Sequence, residues 1–331
     1  MASSEKKSKP VLPPRPGLLD HPLPRWPSVL LLLALLALPT LLSALGQDFY
    51  VGVASRILIF ALAASSLNLI LGFGGMISFG HAAFLGIGAY TVGILMQYGV
   101  DSAWLAWPLA LLVGALFALL MGTISLRTHG VYFIMITLAL AQMLYYLMVS
   151  LKTYGGDDGL SLPGRSSLGL GLNPASDGTF YYTVLALAVA VFVGLQRLLN
   201  APFGHALQAV RENEPRMAAL GFAVVRIKLI AFTLSGSLAA LAGALLANQA
   251  GFVSPSMMQW SESGMLMIMV ILGGVGQLYG GFVGAVAFML LEEGLSTVTI
   301  YWQLGLGAVL LAVVLLAPNG LLSLGAKRDA P

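Results

Sequence analysis

The 331-residue sequence contains no cysteine, and charged residues make up only 9% of it. The absence of cysteine excludes disulfide bonds and metal sites held by thiolates. The four histidines are scattered without the paired spacing of metal ligands, so we expect no metal site. The scarcity of charge, beside 58% hydrophobic residues, excludes an ordinary soluble domain.

Motifs for catalysis and for energy coupling are also missing. No G-x-x-x-x-G-K-[ST] phosphate-binding loop occurs, so this chain does not hydrolyse ATP by that route, and we expect no cofactor in it. No nucleophile and base stand together in a way that indicates an enzyme. No acidic residue lies in the middle of a predicted span, which argues against a proton-coupled or sodium-coupled carrier.

The sequence has instead a series of apolar segments, several of which reach or approach the ~20 residues that a membrane-spanning helix needs. We predict an all-α polytopic membrane protein with about ten transmembrane helices, some of them short or broken. The predicted spans are residues 29–45, 50–71, 82–98, 104–126, 131–151, 180–199, 229–251, 265–275, 282–295 and 301–317.

Both ends of the chain are polar. Residues 1–27 are basic and rich in proline, which predicts a disordered cytoplasmic tail before a transmembrane domain over residues 28–322. A cleaved signal peptide is the alternative, but the polar stretch is long for one. Residues 323–331 are predicted to form a cytoplasmic C-terminal tail.

The last third of the chain allows two interpretations. Residues 273–281 read GGVGQLYGG, which is too rich in glycine for a helix interior and predicts a turn between two short spans. One long kinked span is the alternative. Charge favours two spans, because ten spans with an inner N-terminus leave only Arg56, Lys152 and Arg165 of all Lys and Arg residues outside, as the positive-inside rule requires.

The most informative segment is the hydrophilic loop at residues 200–228, NAPFGHALQAVRENEPRMAALGFAVVRIK. Its charged side chains exclude it from the bilayer. Pro215 suits the first turn of a short helix capped by Asn213 or Glu214, and Gly221 suits the turn that ends it. We predict a cytoplasmic surface helix on which a soluble partner acts. A solvated helix without a partner is the alternative.

The predicted external loop, residues 152–179, contains YGGDDGLSLPG, which indicates turns and an ordered surface. Asp157 and Asp158 in this loop either meet a basic patch on an external binding protein or belong to a solvated turn. Elsewhere, LGFGGMISFG at residues 71–80 is echoed by LGGVGQLYGG at residues 272–281. Paired glycine-rich breaks mark the transport pathway in some carriers built from repeats, although so short a match also arises by chance.

Several polar residues interrupt the apolar runs. They either line a solute pathway or form hydrogen bonds between helices. A buried histidine can relay protons, but no acidic residue stands near His81 in the sequence, and this favours a structural role for it. The candidate pathway residues are Asn68, Ser78, His81, Thr137, Gln142 and Ser235.

Several segments, in the right order, resemble the membrane subunits of ABC importers, and within them the branched-chain amino acid branch and its LivM-type subunit. The resemblance covers roughly residues 50–325. The segments that carry it are GFGGMISFGHAAFLGIGAY (72–90), GVYFIMITLALAQMLYYLM (130–148) with YGGDDGLSLP (154–163), RENEPRMAALGFAVVRIKLIAFTLSGSLAALAGALLA (211–247), GGVGQLYGGFVGA (273–285) and APNGLL (317–322).

The resemblance implies a type II ABC-importer-like permease fold in the bacterial inner membrane, with both termini in the cytoplasm. It implies a homologous second permease subunit, two cytoplasmic ATPases that bind ATP and Mg, and an external binding protein, with lipid around the helices and no nucleic acid. The residues that it places against the ATPase are Arg211, Glu212, Asn213, Glu214, Ala218, Ala219 and Gly221, followed by Lys228 at the membrane surface.

One departure from the family pattern concerns the loop. The Glu-Ala-Ala…Gly spacing of the broader permease family is not met, because Gly221 follows Ala218 and Ala219 too soon. Lys228 has a second interpretation, since a lysine at this position can extend into the lipid headgroups. Three functional alternatives stay open: a urea or amide permease of the same fold, a stand-alone channel or facilitator, and a scaffold subunit without transport.

Overall fold

A computed structural model describes residues 25–169, 176–298, 300–317 and 320–322, which are mostly helical. The predicted C-terminal tail and most of the predicted N-terminal tail lie outside the described residues. The helices are α1 Arg25–Ala44, α2 Phe49–Asn68, α3 His81–Gln97, α4 Ala103–Ser125, α5 Val131–Ser150, α6 Asp177–Leu199, α7 Pro202–Glu212, α8 Glu214–Ala219, α9 Val224–Ala250, α10 Trp260–Gly273, α11 Gly280–Val298 and α12 Trp302–Leu316.

Each predicted span overlaps one of these helices, while α7 and α8 lie within the predicted loop at residues 200–228. Five helical segments are long and apolar enough to cross a membrane, among the residues described: Phe49–Phe73, Ala103–Ser125, Val131–Ser150, Asp177–Leu199 and Val224–Ala250. Several shorter apolar helices accompany them. The chain is therefore helical and rich in apolar spans, and the count of about ten crossings stays a prediction.

Some predicted boundaries need correction. Helix α1 starts at Arg25, so the last three residues of the predicted disordered tail are helical. Helix α6 starts at Asp177 and helix α9 at Val224, which shortens the predicted loops 152–179 and 200–228 at their C-terminal ends. In each case regular helical hydrogen bonding extends beyond the apolar run on which the prediction depended.

Helix α2 lies at the centre of the bundle. In the most apolar 18-residue window of the span Phe49–Phe73, which is α2 and its π-helical continuation, 89% of the residues are buried, compared with 22% in that of α5. Both helices are apolar on every side, and in a membrane such a helix is covered by other helices or by lipid, so its burial depends on its place in the bundle. Helices α9, α11 and α6 pack around it, and α5 lies at the periphery.

Small residues allow the closest helix contacts. On α4, a buried stripe of Ala106, Ala110, Gly114 and Ala118 repeats every four residues and packs against α9. Helix α3 approaches α9 from another side, and a Cβ atom on Gly88 would lie 2.7 Å from the Cα of Ala240. This is the packing expected in lipid, where close backbone approach replaces the hydrophobic effect as the source of stability.

Two short strands mark one end of the bundle. β1 (Leu160–Ser161) pairs antiparallel with β2 (Phe252–Val253), and the amide of Leu162 donates to the carbonyl of Gly251 at 2.9 Å. Ser102 and Ser167 form a further backbone bridge beside them. We call this set of contacts the strand end.

The opposite end collects the connections α2–α3, α4–α5, α6–α9 and α10–α11, and we call it the loop end. Gly72, Gly75 and Gly276 lie there beside Arg211. Consecutive helices that run in opposite directions place every second connection at the same end of the bundle. Between α10 and α11 the structure has a turn at the loop end rather than one kinked helix, and a Cβ atom on Gly273 would lie 2.6 Å from the amide nitrogen of Gly284.

Candidate functional site

The loop between α6 and α9 folds into two short helices. Asn213 ends α7 and caps α8, because its side-chain oxygen accepts a hydrogen bond of 2.9 Å from the amide of Arg216. Pro215 occupies the first turn of α8, where a missing amide hydrogen costs nothing. Gly221 adopts φ 86°, a left-handed conformation that turns the chain toward α9. Local sequence therefore determines both ends of α8.

A small apolar cluster fastens this loop to the bundle. Val210 of α7, Met217 of α8 and Val224 of α9 are buried against one another. Of the residues on α8, Met217 is buried and Glu214 is partly exposed, whereas Pro215, Arg216, Ala218 and Ala219 are exposed. The loop is thus an ordered surface element rather than a linker.

Polar contacts fasten the loop further. Glu214 forms an ion pair with Lys228, whose side chain is 14% exposed, and its other oxygen lies 3.6 Å from Nε2 of His129. Arg211 donates from Nη1 to the carbonyl of Gly72, at the end of α2. Three of the predicted coupling residues, Arg211, Glu214 and Lys228, therefore help to hold the loop against the bundle. The unpredicted His129 lies beside this ion pair.

The remaining predicted coupling residues are accessible. Glu212, Asn213, Ala218, Ala219 and Gly221 are exposed, and Arg211 is exposed as well although it contacts Gly72. Leu220 and Phe222, on either side of Gly221, are 66% and 47% exposed. The sequence prediction did not single out these two apolar residues, although their place within a charged loop was the available signal. Together they give the loop an outward surface of small and apolar residues.

His81 and Ser235 meet in the interior. Nε2 of His81 lies 3.0 Å from Oγ of Ser66 and 3.4 Å from Oγ of Ser235. Ser235 also donates to the carbonyl of Ser66, and all three side chains are buried. Ser66 was not predicted, because a serine among alanines resembles ordinary small-residue packing. This cluster joins α2, α3 and α9 through hydrogen bonds, the second of the two roles considered for these residues.

Two other candidate pathway residues, Ser78 and Thr137, meet at Gly80, where a Cβ atom would lie 3.4 Å from the Cβ of Thr137. Ser78 accepts a hydrogen bond of 3.2 Å from the amide of Gly80. Thr137 is buried and donates to the carbonyl of Ile134 within α5, whereas Gln142 is partly exposed on the same helix. Asn68 lies at the loop end. Ser78, His81 and Thr137 thus lie near one another around Gly80, and the role of the six residues in a pathway stays a prediction.

Asp157 and Asp158 lie at the strand end. Both are exposed in the turn between the 3-10 helix Lys152–Tyr154 and β1. Both belong to the connection between α5 and α6, and their contact with an external binding protein stays a prediction. Among the described residues, no group of three His, Cys, Asp or Glu side chains is arranged to hold a metal ion.

The apolar bundle is that of a multi-pass membrane protein, and the family match assigns it to the permeases. The model of a family described as the permease component of branched-chain amino acid transport systems matches residues 49–317, and the chain belongs to this family. This agrees with the resemblance noted in the sequence.

Curated relatives carry corresponding names. The LivM permease protein of the high-affinity branched-chain amino acid transport system of Salmonella typhimurium is 31% identical over 317 residues, which cover 88% of this chain and 74% of the relative. LivM of Escherichia coli K12 gives the same values. LivH of Salmonella typhimurium is 25% identical over 288 residues, 80% of this chain and 91% of the relative. No solved structure matches the chain.

Proposed function

We propose that this chain is a membrane subunit of an ATP-driven importer for branched-chain amino acids. Its family and the names of its relatives support the substrate class. The loop end would lie in the cytoplasm and the strand end outside, an orientation that the positive-inside rule supports. The chain would act beside a homologous second permease subunit, because relatives of both the LivM and the LivH kind are similar to it.

The observation that carries this proposal is the outward surface of α8 and its following turn. Exposed apolar groups on a charged loop are the usual mark of a protein interface. We propose that Ala218, Ala219, Leu220, Gly221 and Phe222 contact a cytoplasmic ATPase, with Glu212 and Asn213 at the rim. The ion pair of Glu214 with Lys228 would hold this surface in place.

The mechanism would be alternating access. Two ATPases, which hold the ATP and Mg, close on nucleotide binding and push the loop, and the helices rock around a central path. The free energy must come from ATP, because a solute with equal affinity for both states shifts no equilibrium. An external binding protein would deliver the solute at the strand end, with Asp157 and Asp158 as candidate contacts.

Co-purification tests the proposal. The tagged chain is isolated in mild detergent from its native host, and accompanying proteins are identified by mass spectrometry for wild type and Ala218→Arg. We expect an ATPase with a phosphate-binding loop beside the wild type and its depletion from the variant, because arginine keeps α8 helical while it obstructs the exposed face. Asp158→Arg, at the strand end, is the matched control and retains the ATPase.

Uptake measurements complete the test. With the ATPase and binding protein present, labelled leucine uptake should require ATP and should be inhibited by isoleucine and valine but not by urea. A wild-type chain that purifies without an ATPase and moves solute alone in liposomes would overturn the proposal in favour of a facilitator.

A further inference from the structure

The two glycine-rich breaks noted in the sequence contact each other at the loop end. A Cβ atom on Gly72, in the first break, would lie 2.8 Å from the Cα of Gly276, in the second. Asn68 joins the breaks, since its Nδ2 donates to the carbonyl of Gln277 at 2.8 Å and its Oδ1 accepts from the amide of Gly276 at 3.1 Å. Two irregular backbones are thus held together by one amide side chain.

Both breaks follow the C-terminal end of a helix. Helix α2 continues as a π-helical turn, Leu69–Phe73, and α10 ends at Gly273. Carbonyl groups at a helix C-terminus lack intrahelical donors, and the helix dipole makes this end negative. Two such ends at one junction favour a cation.

Arg211 supplies that cation from the loop. Its Nη1 donates to the carbonyl of Gly72, and a Cβ atom on Gly276 would lie 3.1 Å from the same nitrogen. A Cβ atom on Gly75 would lie 3.0 Å from Cγ of Arg211. The side chain therefore lies against both breaks, while its backbone belongs to the last turn of α7, one residue before Glu212 and the exposed surface of the loop.

We infer that Arg211 is the positioning residue through which movement of the loop reaches the paired breaks. This inference rests on the proposed function. The ATPase displaces α8, α7 moves with it because Val210 and Met217 pack together, and Arg211 transmits the displacement to Gly72 and Gly276. Glycines at these points let the backbones approach closely and also let them change conformation.

Variants of Arg211 should keep the ATPase but lose transport for each ATP hydrolysed. Loss of the side chain removes the link to the breaks but leaves the exposed surface of α8 intact. The ATPase should therefore still bind and hydrolyse ATP, while solute transport per ATP falls. An arginine that served only as an anchor would instead alter assembly or stability and leave the ratio of transport to hydrolysis unchanged.

The experiment uses the whole transporter in liposomes, with ATP hydrolysis and labelled leucine uptake measured on the same sample. For Arg211→Ala we expect wild-type amounts of bound ATPase. Uptake per ATP should fall by roughly tenfold, the factor that corresponds to the loss of one hydrogen bond to a charged group. Arg226→Ala is the matched control, because Arg226 is an exposed arginine of the same loop region on α9. It should keep the wild-type ratio.

The possible outcomes distinguish failure of this inference from failure of the proposed function. A wild-type ratio in an assembled Arg211→Ala complex would overturn the inference while leaving the proposed function intact. Absence of an ATPase from the wild-type complex would overturn the proposed function itself. If Arg211→Ala does not assemble, Arg211→Met decides, since methionine keeps an unbranched aliphatic stem but has no group that can donate to the carbonyl of Gly72. Uptake per ATP below wild type in that variant supports the inference, and a wild-type value overturns it.

Discussion

Both ends of the bundle have side-chain contacts, but they differ in backbone pairing. At the strand end, backbone pairs with backbone: β1 with β2, and Ser102 with Ser167. At the loop end, the connections between the breaks pass through the side chains of Asn68 and Arg211. Backbone pairs resist rearrangement because several bonds form one ladder, whereas a side chain can exchange a single partner.

The contrast shows where movement is least costly. Conformational change tends to use elements with few buried contacts and with residues that tolerate several backbone conformations. Glycines with positive φ angles occur at both ends, for example Gly156 and Gly159 at the strand end and Gly75 and Gly276 at the loop end, so the difference lies in the side-chain links of the loop end, where an ATPase would act. We therefore expect substitutions at the strand end to change stability and those at the loop end to change coupling as well.

The largest effect should follow from Gly72→Val at the loop end. The valine side chain would collide with Gly276 and with Asn68, and neither backbone has space to withdraw. Overpacking of this kind costs about 1–3 kcal/mol or more, so we expect a melting temperature in detergent lower by several degrees and little transport. Gly194→Val, where a Cβ atom meets nothing within 4 Å, is the control. Equal stability of the two variants would contradict close contact between the breaks.

A smaller effect, restricted to stability, should follow from Asn248→Ala at the strand end. The side chain of Asn248 is buried, and its Oδ1 accepts from the amide of Ser166 at 2.6 Å. Leaving that buried amide without an acceptor costs about 1–3 kcal/mol. Thermal unfolding should show the loss, while uptake per ATP in liposomes stays at the wild-type value.

Thr153→Ala serves as the matched control for Asn248→Ala, because Thr153 is exposed at the same end and offers its backbone carbonyl, not its side chain, to Gln97. A fall in uptake per ATP in Asn248→Ala would show that the strand end also takes part in coupling. The contrast between the two ends would then fail.

The smallest effect should come from Asp177→Asn. Asp177 forms an ion pair of 2.6 Å with Arg165, but the aspartate side chain is 49% exposed. Pairs of this kind contribute about 0–1 kcal/mol and are weakened by salt. Arg165 also lies 4.7 Å above the ring of Phe180, a contact that the substitution leaves in place. A melting temperature within about 2 °C of wild type is expected, and a larger drop would mean that the strand end depends on charge.

The sequence predicted the helices well, since a span of ~20 apolar residues has few alternatives in lipid. It also predicted the short helix at Asn213 and Gly221, because capping and left-handed turns depend on local residue types. The separate helices α10 and α11 followed from glycines that are poor in a helix interior.

The sequence did not predict which residues distant in the chain contact one another. A polar residue in an apolar run indicates that it needs a partner but does not identify it, so the contact of His81 with Ser66 and Ser235 had no signal of its own. Arg211 was predicted to face a partner protein, whereas its side chain also turns inward to Gly72. Such a contact depends on how helices distant in sequence are brought together.

The close contact between α3 and α9 has a mechanical consequence. Backbone atoms of Ala240 lie over Gly88, and those of Leu85 lie over Gly243, so the two helices interlock and cannot slide past each other. Together α3 and α9 form a rigid helix pair, and α9, with 27 residues, is roughly 40 Å long. A tilt of about 5° at Val224, directly after the loop, would carry the far end of α9 by about 3–4 Å. The distance that a movement of the loop travels through the bundle would thus depend on Gly88 and Gly243, which hold α3 and α9 together.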